Sequence, residues 1–185
     1  MTANEALKRL TEGNEKYVQD TENVNTSNEI RESLTGGQSP YAIILSCADS
    51  RVIPESIFDA NAGEIFVVRV AGNIANTSSI ASIEYAVAHL GTKLIVVLGH
   101  ESCGAVTAAI AGGDNGYSLN HLCAHITPAV ESSESKEVND VVKVNAKLNG
   151  EALAERSGII SKALGEGLEI VPAYYNLSNG KVDFL

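Results

Sequence analysis

Basic side chains are scarce: 13 lysines and arginines stand against 23 aspartates and glutamates, a formal net charge of −10. Nucleic-acid binders neutralise phosphates with lysine and arginine, so this balance argues against nucleic acid and against an anionic membrane surface as partners. Long apolar runs are also missing, and none approaches the roughly 18–20 residues that span a bilayer. The opening Met1-Thr-Ala-Asn-Glu-Ala6 lacks the charged-then-apolar layout of a secretory signal. Cysteine is limited to three residues, which cannot all pair, so a disulfide framework is disfavoured and a reducing, cytoplasmic setting is expected. There is no G-x-S-x-G elbow and no G-x-x-x-x-G-K-[ST] loop. The Cys47 to Arg51 interval is too short for a cysteine-phosphatase loop. Neither an internal repeat nor a linker divides the 185 residues, so a single domain is expected.

What is present is a folded chain, 44% apolar. Thr2-Ala-Asn-Glu5 reads as a capping box opening a helix to about Gln19, with Ala6, Leu7, Leu10 and Tyr17 on one stripe. A second, short helix follows Thr26-Ser-Asn-Glu29 and ends at Gly36-Gly37. Both are thinly apolar, which makes residues 1–37 a helical arm lying on another surface. Residues 38–185 then form an α/β core. Tyr41–Leu45, Glu64–Arg69, Lys93–Leu98 and Leu168–Tyr174 are continuous apolar runs, as in strands covered on both faces. Helical patterns lie between them: Ser78–Leu90 with a stop at Gly91, Glu101–Ala111, His121–Val130, and Val138 to about Leu164 with a weak point at Gly150. Asn179-Gly180 is a hairpin signal, predicting Lys181–Leu185 as an antiparallel edge strand. The fold class is therefore α/β, a mostly parallel sheet of four strands plus that edge strand, flanked by helices.

Open parallel sheets build their sites beyond the carboxyl ends of the strands. The first run ends in Ser46-Cys47-Ala-Asp49-Ser-Arg51, and the third in Gly99-His100-Glu-Ser-Cys103-Gly104. Alone, a cysteine at the end of a buried strand is usually a small apolar residue. If the two strands are neighbours, however, Cys47, His100 and Cys103 converge as a Cys2His donor set. That set favours zinc, and three protein ligands leave a fourth position open, as in catalytic sites. Asp49 is either a fourth ligand or a hydrogen-bond acceptor beside the metal. Arg51 favours the second role, because a guanidinium two residues away can hold the carboxylate in a bidentate pair. Gly104 lets the chain pass close beside Cys103, and its N–H is a candidate donor to an oxygen that becomes negative. Cys123, with His121 and His125, reads as part of a helix rather than a second metal site.

"SCADSRVIPE" and "GHESCGAV", with "FVVRVAGN" and "SIEYAVAHLG", resemble the β-class carbonic anhydrases, whose signature is C-x-D-x-R followed by H-x-x-C. The resemblance implies zinc on Cys47, His100 and Cys103, an Asp49–Arg51 catalytic dyad, and reversible hydration of carbon dioxide to bicarbonate and a proton. Gln38, Phe66 and Tyr85 stand where the plant-like subtype has its substrate-pocket residues, and Ile44 stands where the other subtype carries a regulatory tryptophan. Without the resemblance, Phe66 and Tyr85 are ordinary core aromatics. The family also implies a homodimer or tetramer, a site at the subunit seam, and an N-terminal helix reaching onto the partner. The rival activity at the same site is hydrolysis of carbonyl sulfide or carbon disulfide. A rival of another class is a non-catalytic, zinc-stabilised binding protein.

Overall fold

The computed structural model describes residues 1–185. Each apolar run is a strand: β1 (Ala42–Ser46), β2 (Ile65–Arg69), β3 (Leu94–His100) and β4 (Glu169–Tyr175), followed by β5 (Val182–Phe184) after the hairpin turn. They form one sheet in the order β2-β1-β3-β4-β5, parallel except for the antiparallel β4–β5 pair. β1 and β3 are direct neighbours, Ile43 opposite Ile95 and Ser46 opposite Leu98. The chain leaves β1 for β2 on one side, then crosses back over β1 to β3 on the other. The C-terminal ends of β1 and β3 thus flank the point where the winding reverses, the usual place for a site in such sheets.

The helices are α1 (Ala3–Val18), α2 (Asn28–Ser33), α3 (Pro54–Ile57), α4 (Thr77–Leu90), α5 (Gly104–Ala111), α6 (Tyr117–Ser132), α7 (Val138–Arg156) and α8 (Gly158–Leu164). Alternation along the strands splits the core. Ala42, Ile44, Leu94, Val96 and Leu98 face one layer with α1 and α3. Ile43, Leu45, Ile95 and Val97 face the other, against Ile80 and Ile83 of α4, Leu153 of α7 and Ile160 of α8. Every residue of β1 and β3 is buried, which is why those runs are continuously apolar rather than alternating.

The expected capping box on α1 is present: Thr2 Oγ1 accepts from Glu5 N–H at 3.3 Å, and Glu5 Oε2 accepts from Thr2 N–H at 2.7 Å. The arm does not stand away from the core, however. Ala3, Ala6 and Leu10 are buried against this chain's own sheet, while Leu7 and Tyr17 of the same stripe are half-buried. Gly13 makes that approach possible, since a Cβ there would fall 1.9 Å from the Phe58 carbonyl oxygen. Asn14 then ties α1 to β5: its Nδ2 donates to the carbonyls of Ile57 and Gly180, and its Oδ1 accepts from Val182 N–H at 2.9 Å.

Several boundaries differ from expectation, and α6 starts at Tyr117 rather than His121. β3 runs on through Gly99 to His100, while α5 starts at Gly104, not Glu101, because Glu101–Cys103 make a turn with Ser102 at φ +55°. The long C-terminal helix breaks at Ser157, whose hydroxyl caps α8 by accepting from Ile160 N–H at 3.1 Å, and not at Gly150. Gly150 stays helical and lets α7 lie close on β4; a Cβ there would sit 3.3 Å from Ile170 Cγ2.

Candidate metal centre

Cys47 follows the last residue of β1, His100 closes β3, and Cys103 precedes α5. All three are buried, and their ligand atoms lie within 4.8 Å of one another. The orientation of His100 follows from one contact: its Nδ1 is 2.9 Å from the Glu101 carbonyl oxygen. A carbonyl can only accept, so Nδ1 carries the proton and Nε2 is left as a bare lone pair. His100 is 0% exposed, and Nε2 has no hydrogen-bond partner. Such an orphan is costly unless something electrophilic fills the role. Two sulfurs beside that lone pair make a donor set suited to zinc.

The two thiols are linked electrostatically. Their closeness shifts the two in opposite directions, the Cys47 pKa down and that of Cys103 up. Burial opposes ionisation at both. Around Cys47, Gly72 N–H donates to Sγ at 3.4 Å. The amides of Ala105 and Val106, at the start of α5, favour the thiolate of Cys103.

Asp49 lies outside the close triad, with Oδ2 3.9 Å from His100 Nε2. Arg51 engages both of its oxygens, Nε to Oδ1 at 2.9 Å and Nη2 to Oδ2 at 2.8 Å, and Arg51 N–H also donates to Oδ1 at 3.0 Å. These bonds hold the Asp49 carboxyl well below the usual carboxylate range, with the Arg51 side chain the largest cause. Gly104 opens α5 beside Cys103, exposed, with its N–H among the unpaired donors of the first turn, but a Cβ there would meet nothing within 4 Å, so the close approach expected of this glycine is not made.

The other pocket residues are placed elsewhere. Gln38 is exposed and precedes β1, whose whole length separates it from Cys47. Phe66 lies opposite Ile43, four residues short of Cys47, roughly 13 Å along the strands at about 3.3 Å per residue. Phe66 and Tyr85 do meet, ring centroids 6.4 Å apart, and Tyr85 is 49% exposed at the outer side of the sheet. Within one chain, none of the three joins the cysteines.

Several contributing residues escaped the sequence reading. Arg69, at the end of β2, donates from Nε to the Cys47 carbonyl at 2.9 Å and from Nη2 to the Asp49 carbonyl at 2.7 Å. Asn139 Oδ1 accepts from Ser102 N–H at 2.9 Å, bracing the left-handed turn before Cys103. The signal available for Arg69 was a cation ending an otherwise apolar strand in the same register as Ser46.

Residues 42–182 match the family model described as carbonic anhydrase. The chain is 37% identical to carbonic anhydrase 2 of Mycobacterium tuberculosis, over 95% of this chain and 89% of that protein. It is 36% identical to the carbonic anhydrase of Mycolicibacterium smegmatis, over 96% and 91%. Among solved structures it is similar to a tetrameric β-carbonic anhydrase of Sordaria macrospora, with TM-score 0.77 and 27% identity over 85% of this chain and 86% of the other. It is also similar to the Coccomyxa β-carbonic anhydrase in complex with acetazolamide, with TM-score 0.76 and 26% identity over 97% and 86%.

Proposed function

Because the chain belongs to the β-class carbonic anhydrases, we propose that it hydrates carbon dioxide reversibly to bicarbonate and a proton, using zinc held by Cys47, His100 and Cys103. The observation that carries this reading is the buried pair of sulfurs beside the unpartnered Nε2 of His100. When bound, zinc acts as a Lewis acid that lowers the pKa of water toward neutrality, providing the nucleophile.

The chain's own residues do the rest. Arg51 keeps Asp49 ionised and turned aside, so Asp49 accepts a proton-bearing partner instead of adding a further anionic ligand. Asp49 Oδ2 accepts a hydrogen bond from the attacking solvent molecule, which leaves a lone pair of that molecule facing the substrate carbon. Arg69 fixes the backbone on both sides of that carboxylate. The Gly104 N–H donates to the substrate oxygen on which negative charge grows.

Gln38, Phe66 and Tyr85 serve in this scheme from a second copy of the chain. Three observations support a homodimer built in that way: Gln38 is exposed, Tyr85 is half-exposed, and β2 is an unpaired sheet edge beside Phe66. Oligomeric mass by light scattering tests the assembly. The activity is tested by stopped-flow hydration of carbon dioxide on protein of measured metal content. Fast hydration with about one zinc per chain is expected. Slow hydration with rapid turnover of carbonyl sulfide, or a fully zinc-loaded protein without activity, would overturn the assignment.

A further inference from the structure

The hydrogen bond from Gly72 to Cys47 Sγ is held by machinery on α7. Gly72 is left-handed, φ +69°, and a Cβ there would sit 2.7 Å from Ile126 Cδ1 and 3.3 Å from the Ala105 Cβ. Its carbonyl accepts from Asn145 Nδ2 at 2.9 Å. Asn149, one turn on, accepts from Ala75 N–H through Oδ1 at 2.6 Å. Asn149 Nδ2 in turn donates to the Asn145 carbonyl at 2.8 Å and to Asn145 Oδ1 at 2.9 Å. Both asparagines are buried, Asn145 fully, and their bonds to the protein account for each other's orientation. Two amides in the core are costly unless satisfied, and here they are spent on the segment from Gly72 to Ala75.

We infer that Asn145 and Asn149 are positioning residues that aim the Gly72 N–H at Cys47, and so set how much charge this thiolate gives to a bound metal. The inference rests on Cys47 being a metal ligand. An N–H bonded to sulfur stabilises the sulfur lone pairs and weakens donation, leaving the metal a stronger Lewis acid.

The test uses the cobalt-substituted, full-length protein, whose thiolate-to-cobalt charge-transfer band reports the sulfur lone-pair energy. Asn145→Ala should move that band to longer wavelength, because the sulfur lone pairs rise in energy when the N–H is no longer aimed at them. Asn149→Ala should give a smaller shift of the same sign, and it carries the test if Asn145→Ala does not fold. Asn14→Ala removes an equally bonded asparagine of α1 and should keep the wild-type band. Wild-type bands in the α7 variants would overturn the inference, as would an equal shift in Asn14→Ala, with the ligand assignment untouched. A wild-type protein with no thiolate band would overturn that assignment and the inference with it.

Discussion

Arg51 grips both carboxylate oxygens of Asp49, at 2.9 Å and 2.8 Å, while Asp49 Oδ2 stands 3.9 Å from the buried Nε2 of His100. The carboxylate is thereby held by Arg51 beside the Cys47, His100 and Cys103 group. Asp49→Asn should retain zinc yet lose about 10²-fold or more in hydration rate, a size typical of a lost proton-handling group. Arg51→Lys should fall between, because an ammonium cannot match both oxygens at once. Stopped-flow rates beside metal analysis check both.

The same pair predicts an acid response. The folded pKa of Asp49 is depressed, chiefly by the Arg51 side chain. Its contribution to stability is therefore complete above the unfolded value of about 3.9, and is lost as pH falls through the lower folded value. Urea unfolding of wild type and Asp49→Asn at fixed metal loading should differ most at neutral pH and converge toward strong acid.

Removing the metal should cost stability as well as activity. Chelation leaves the Nε2 of His100 without a partner in a fully buried position. It also withdraws a ligand that binds only the folded state. A lower thermal midpoint after exhaustive chelation is expected, restored by added zinc. Cys47→Ser and Cys103→Ser should each fail to retain zinc under dialysis that wild type survives.

With two thiolates cancelling the charge of a divalent ion, the Lewis acid is weaker than beside three neutral imidazoles. The hydration rate should therefore climb above about pH 7, the region reached by water on zinc with histidine ligands. A rate profile from pH 6.5 to 9 that is flat would contradict this.

Gly13→Ala tests the seat of α1. The added methyl would meet the Phe58 carbonyl oxygen at 1.9 Å, and backbone cannot yield as a side-chain tip can. A loss of about 1–3 kcal/mol is expected by urea unfolding, the usual range for overpacking.

Much of the site was legible because burial on both faces marks a strand plainly, and the metal ligands stand where such strands end. Cys47, His100 and Cys103 could be read on that basis, given only that β1 and β3 are neighbours. The seat of α1 was hidden because its contact face is small: Ala3, Ala6 and Gly13 carry little apolar signal, yet their smallness is what permits close packing. Asn145 and Asn149 lie in the stretch read only as helical, Val138 to about Leu164, and spacing alone does not reveal that carbonyls and amides of a distant loop await them. Gln38, Phe66 and Tyr85 lie far from the metal ligands in the folded chain, a separation that depends on strand direction and on which edge is left open.

Asn14 joins the first helix to the last strand, and Tyr17 meets Tyr175 hydroxyl to hydroxyl at 3.0 Å. On the ribosome, α1 precedes the other elements described but gains these contacts only after nearly all of them have been made. Such widely separated pairings form late and slowly. The first helix can settle early on Ile57 and Phe58, and the final hairpin acts as the clasp that closes the shell over its sheet.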